Sequence, residues 1–203
     1  QDIMVPPEGR GEAQAGQIVI VELIEQPGAH SRPLGRVKEV LGEHMAPGME
    51  IRIAIASHGI PVEWPEAVLE EAHRYGETVP ESVSQGRWDL RGTALVTIDG
   101  ITARDFDDAV YCERRGANWR LLVAIADVSA YVRPGTALDQ EARKRGNSVY
   151  FPDRAIPMLP EALSNGLCSL KPDVDRLCMV CEMTFNGEGR MIRSRFAEAV
   201  MRS

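Results

Sequence analysis

The sequence predicts an α+β protein in two parts, and three observations carry that prediction. Residues 1–60 break into short strands divided by turns, residues 66–75 space their apolar side chains as a helix does, and the chain after Arg87 switches to buried strands mixed with helical stretches. The 203 residues, 44% hydrophobic and 26% charged, suffice for one large or two small cores. No run approaches the roughly 18 apolar residues of a membrane helix, and QDIMVPPEGR lacks the order of a signal peptide. A cytoplasmic protein without a membrane partner is therefore expected. The start at Gln1 and the end at Ser203, straight after RFAEAVMRS, lead us to expect a piece of a longer polypeptide.

In the first part, QIVIVELIE, LGRVKEVLG and MEIRIAIAS read as strands separated by QPGAHSRP and EHMAPG. Met49, Ile51, Ile53 and Ile55 alternate with Glu50, Arg52 and Ala54, which predicts one buried and one wet face. A small all-β barrel of the OB or cold-shock type fits residues 1–60. No Phe, Tyr or Trp precedes Trp64, so such a barrel would scaffold or touch a nucleic-acid backbone rather than stack bases. Residues 61–86 read as a linker: Pro65 opens a helix, Trp64, Val68 and Ala72 recur every four residues, and Gly76 stops it. From 87 to 203, TALVTID and WRLLVAIADV predict buried strands, LDQEARKRG a helix closed by Gly146, Pro160 to Asn165 a short helix, and RLCMVCEMTF a further strand.

The net charge of −7 argues at first against a polyanionic partner, but the charge is unevenly spread. Residues 1–60 carry five basic and eight acidic groups, 61–86 one and six, and 87–203 seventeen and sixteen. Fifteen of those seventeen are Arg, whose planar fork matches phosphate oxygens, so a phosphodiester substrate is permitted. Of Cys112, Cys168, Cys178 and Cys181, the last two form a C-x-x-C. On a strand such positions face opposite ways, which favours buried thiols over a zinc site.

The most informative segment runs from Thr97 to Asp108, TIDGITARDFDD. Asp99 is read at the end of a buried strand, with Asp105, Asp107 and Asp108 following in one loop. Carboxylates held this close repel, and hard divalent ions relieve the conflict while sharing their oxygen shell with substrate phosphate. The four are expected to converge, with Asp99 and Asp108 near enough to share a cation. The competing reading is a solvated acidic turn; the apolar neighbours Phe106, Ala109 and Val110 weigh against it, since they imply partial burial. Asp127, ending VAIAD, reads equally as support for the cluster or as a structural cap.

These residues also carry a resemblance. DLRGTALVTID, ARDFDDAV, VAIADVS, SVYFP and IPMLPEALSNGLCSL, spanning Asp89 to about Met183, are together similar to the catalytic domain of the ribonuclease II family, closest to its ribonuclease R branch. The preceding residues resemble the end of that family's second cold-shock domain. The resemblance implies a truncated RNB catalytic domain at 87–203 and processive, hydrolytic 3′-to-5′ degradation of single-stranded RNA to nucleoside 5′-monophosphates, requiring Mg²⁺ or Mn²⁺. It places Asp99, Asp105, Asp107 and Asp108 on the family's active-site aspartates, with Asp107 the critical one. Tyr150, by itself an ordinary core tyrosine, falls on the aromatic that packs at the RNA 3′ end. The family's domain continues far past residue 203 with a second stacking aromatic, an Arg, a Glu and an RNA-binding barrel. Two other readings stay open: a non-catalytic RNA-binding fragment, and a phosphatase or phosphotransferase with an aspartyl nucleophile at Asp105 or Asp107.

Overall fold

The structure is a computed structural model that describes residues 2–28 and 31–203 and divides into two compact units, 1–62 and 63–203. In the first unit, β1 (Gln17–Glu25) and β2 (Leu34–Glu43) pair antiparallel with three register shifts, and α1 (Met49–Ser57) follows. This is a curled hairpin with a helix, part of a barrel rather than a closed one. The turn read at QPGAHSRP includes Ala29 and His30, which lie outside the described residues.

MEIRIAIAS, expected as a strand, is helical throughout. In so short a run Met49, Ile53 and Ala56 share a helix face as readily as alternate residues share a strand face, and nothing in the periodicity decides between them. Packing decides. Met49 is only 2% exposed and lies against Gly42 of β2, where a Cβ would come within 3.1 Å of its Cε.

The second unit begins with α2 (Glu66–His73) and α3 (Glu81–Ser84), then β3 (Trp88–Leu90), β4 (Asp108–Arg115) and β5 (Asn118–Ala126). After α4 (Ala137–Arg145) come the two-residue strands β6 (Val149–Tyr150) and β7 (Ala155–Ile156), one π-helical turn (Ala162–Leu167), and the long strands β8 (Arg176–Phe185) and β9 (Met191–Met201). The main sheet has the order β3-β9-β8-β5-β4, parallel only between β3 and β9. β8 and β5 are interior, as their apolar runs require.

One core layer joins Val68 and Ala72 of α2, Leu138 and Ala142 of α4, and Leu163 and Leu167 to Leu177 and Val200 of the sheet. The other joins Leu122, Ala124, Cys178, Val180 and Ala199 to Leu90, Leu95, Phe106 and Leu170. The helix expected in a linker over 61–86 is thus part of the second unit's core: its apolar stripe is buried against α4, and the units divide at Val62 rather than across that stretch. The helix read over LDQEARKRG forms, with Thr136 capping its N-terminus and Gly146, at φ 79°, closing it. Among the described residues no helix is long and apolar enough to cross a membrane.

TALVTID does not form the expected buried strand. Leu95 is buried, but Val96 makes one isolated bridge to Val110, and Ile98 is 83% exposed. RLCMVCEMTF is a strand as read, and Cys178 is buried while Cys181 is only partly covered; all four cysteines are free thiols. Burial pushes the Cys178 thiol up to about 12, which leaves it an inert small hydrophobe.

Candidate active site

The aspartate loop is held from three directions. Ser169, fully buried, accepts from the Phe106 N–H at 3.0 Å and donates to the Arg104 carbonyl at 2.7 Å, so one hydroxyl grips the backbone on both sides of Asp105. The Leu170 N–H donates to the Phe106 carbonyl, and the Ala126 N–H to the Asp107 carbonyl, both at 2.9 Å. Phe106 packs into the core beneath the sheet, and the carboxylates of Asp105 and Asp107 on either side of it stay near the surface. Asp108 opens β4 opposite Ile125. Asp99 lies on the exposed segment before the Gly100–Ala103 turn, not at the end of a buried strand.

Electrostatics tie these four together. The Asp107 carboxyl is held above its ordinary 3.8, first by the protein surrounding it and then by the charges of Asp105, Asp108 and Asp99. The other three charges thus act on Asp107, and among the described residues no Lys, Arg or His forms an ion pair with it. The chemistry of this donor set fits a hard divalent ion. Among the described residues, however, no three His, Cys, Asp or Glu side chains converge as a closed set of ligands, so the expected sharing of one ion by Asp99 and Asp108 is not drawn by the side chains.

Tyr150 is not a core tyrosine. It is 66% exposed, and its hydroxyl donates to Asp105 Oδ2 at 2.5 Å, which raises the phenol above its ordinary 10. Tyr150, Asp105, Arg104, Arg154, Glu161 and Asn165 line a cavity of about 660 Å³ beside the aspartates. Sequence reasoning missed Ser169 as the residue holding the loop. Its one signal was its place in the NGLCSL run, whose distance from the aspartates is closed only by the fold.

Asp127 stands apart. It is 3% exposed, ion-paired to Arg87 at 2.8 Å, and accepts from the Ser129 hydroxyl at 2.6 Å. With both oxygens taken, Asp127 is structural.

Known proteins resemble this chain. The family model "RNB domain" matches residues 87–203, and the model "Cold shock domain" matches 1–65. The chain belongs to the RNB family. Ribonuclease R of Vibrio parahaemolyticus is 59% identical over 205 residues, covering all of this chain and 24% of that protein. Two solved structures of Mycoplasma genitalium RNase R superpose with a TM-score of 0.91. One, in complex with double-stranded RNA, is 30% identical and covers 99% of this chain and 36% of that one. The other, in complex with ribose-methylated single-stranded RNA, is 31% identical and covers 99% and 32%. This RNB chain spans about a quarter of the length of its curated relative. The first unit matches the family's cold-shock model and the α+β second unit its RNB model, so the α+β fold class read from the sequence stands.

Proposed function

We propose that the second unit carries the metal-binding part of a hydrolytic, processive 3′-to-5′ exoribonuclease that acts on single-stranded RNA and releases nucleoside 5′-monophosphates. The observation that carries this reading is the Asp107 carboxyl, repelled by three neighbouring carboxylates, one of which, Asp105, lines a cavity together with an exposed tyrosine. The relatives described above are ribonuclease R proteins, and the one from Mycoplasma genitalium was solved in two complexes with RNA.

Asp99, Asp105, Asp107 and Asp108 would hold Mg²⁺, with Mn²⁺ as a substitute, and the ion supplies the Lewis acidity and charge neutralisation that phosphodiester hydrolysis needs. The rest is the work of the chain. Ser169 and the backbone of Leu170 and Ala126 fix the loop, so the carboxylates need little reorganisation to meet a substrate. Tyr150 offers its exposed ring to the 3′-terminal base while its hydroxyl orients Asp105. Phe151 and Pro152 line the same cavity and would offer apolar surface beside that base.

Release of labelled mononucleotide from a 3′-labelled single-stranded RNA, measured with Mg²⁺ and with EDTA, tests the reading. Tyr150→Ala should weaken the hold on the terminal nucleotide, since stacking contributes about 1–3 kcal/mol per base. Mg²⁺-independent release, or a stable phosphoaspartate on Asp105 or Asp107, would reject it. A second reading, a non-catalytic RNA-binding fragment, is favoured by the open arrangement of the four carboxylates among the described residues. Tight RNA binding with no Mg²⁺-dependent release would select it.

A further inference from the structure

At the opposite end of the main sheet from the aspartates, two rungs of directly paired residues bring arginines together. Glu113, Arg120, Thr184 and Arg193 form one rung across β4, β5, β8 and β9, and Tyr111, Leu122, Glu182 and Arg195 form the next. Alternation along β9 puts Arg193 and Arg195 on the same face as Ala197, Ala199 and Met201. The basic rungs are therefore the continuation of the buried face beyond the point where Leu95, Phe106 and Leu170 cover it. There the face opens into a cavity of about 280 Å³ lined by Arg115, Arg120, Arg193, Arg195, Asn118 and Thr184, with Glu182 as its single acidic residue.

The charges in this cavity do not cancel. Arg120 is held by Glu182 at 2.5 Å and Glu113 at 3.1 Å, and Arg115 shares Glu113 at 2.8 Å. Arg193 and Arg195 have no carboxylate within ion-pairing distance among the described residues. Arg195 instead lies over the Trp88 ring, its Cζ 4.1 Å from the centroid, which presets its guanidinium without neutralising it. Four guanidinium groups against two carboxylates leave an excess of about two positive charges, in a chain whose net charge is −7. Thr184 and Asn118 add neutral donors beside them.

We propose that this cavity is a second, non-catalytic site that binds the phosphate oxygens of a single-stranded RNA backbone, with Arg193 and Arg195 as the principal donors. The inference rests on the RNA reading above. Guanidinium forks pair bidentately with phosphate oxygens, and the cavity reads no base, so it would hold any sequence. Its place matters as much as its charge. From Asp108 to Arg115, β4 rises about 3.3 Å per residue, which sets the cavity on the order of 20 Å from the aspartates. At a stacked spacing of about 3.4 Å per phosphate, a strand reaching both sites spans roughly six nucleotides.

Binding of a fluorescein-labelled oligouridylate of roughly twelve nucleotides, followed by anisotropy in EDTA across a salt series, tests this. Arg193→Glu should weaken binding about tenfold and lower the slope of log affinity against log salt by about 0.7 or more, the value of one single-strand phosphate contact. Arg133→Glu, an equal charge change at an exposed loop position outside the cavity, should have a much smaller effect. Arg193→Gln, with an unchanged thermal melt, should fall between Arg193→Glu and the unaltered chain. An oligouridylate of roughly three nucleotides should not distinguish the variants. Equal loss in Arg193→Glu and Arg133→Glu, or no loss in either, would overturn the inference while leaving the RNA reading intact. Failure of the unaltered chain to bind the oligouridylate, with Arg193-dependent binding of tripolyphosphate, would overturn the RNA reading and replace the RNA site by one for a smaller phosphate compound.

Discussion

Two aspartate sites in this chain use the same side chain to opposite ends. Asp127 sits at the end of an interior strand with each oxygen engaged, one by Arg87 and one by Ser129, in a pair buried on both sides. Asp107 sits at the start of the neighbouring strand with no ion-paired cation among the described residues and three like charges around it, and its carboxyl is held above its ordinary value. The difference lies in the accounting of charge. A carboxylate whose charge is balanced within the chain supports the fold, and one whose charge is left unbalanced is available to something from outside.

Breaking each site should therefore give opposite signatures. The largest effect is expected for Asp107→Asn, which should lower Mg²⁺-dependent mononucleotide release at least about a hundredfold, where each tenfold loss is about 1.4 kcal/mol of barrier. Its melting temperature without divalent ions should stay level or rise, because a repelled charge has been removed. A melt that falls sharply would show that Asp107 is structural after all. Arg87→Ala should do the reverse, leaving the aspartate loop's residues in place but costing about 3–5 kcal/mol in a denaturant titration, since it strands a buried carboxylate. Stability within the error of the unaltered chain would contradict the role given to that pair.

Ser169→Ala lies between the two. It leaves the Phe106 N–H and the Arg104 carbonyl without their partner inside the protein, a cost of about 1–3 kcal/mol, and it loosens the loop that carries Asp105. Both stability and release should drop, with Ser169→Thr restoring part of each; a change in stability alone would limit Ser169 to the fold. The smallest effect is expected at Asp139, whose carboxyl is held below its ordinary 3.8 by the Gly135 N–H and by Arg143. A lowered carboxylate contributes stability above its unfolded value and loses it as pH falls through the folded one. Asp139→Asn should thus narrow the difference between melts at neutral pH and below about pH 4 slightly, and an unchanged difference would remove Asp139 from that account.

By itself the sequence determined the α+β class, the change of apolar period along the chain, and the clustering of four carboxylates within ten residues. Those are properties of composition, period and short-range spacing, and each is carried by contiguous residues. Tertiary structure decided what spacing could not. It made MEIRIAIAS a helix, because a nine-residue apolar run satisfies both periods and only the surface it packs on chooses between them. It drew the helix at Glu66–His73 into the second core, because a helix stripe records that a partner exists and not which one. It added β4 and β9, whose charged and small residues weaken the strand pattern that the ladder to β5 and β8 overrides. Only the fold could bring Ser169 to the loop around Asp105 and Tyr150 to Asp105, join Arg87 to Asp127, and align Arg193 and Arg195 with Arg120, since contacts between distant residues leave no trace in the spacing of one chain segment.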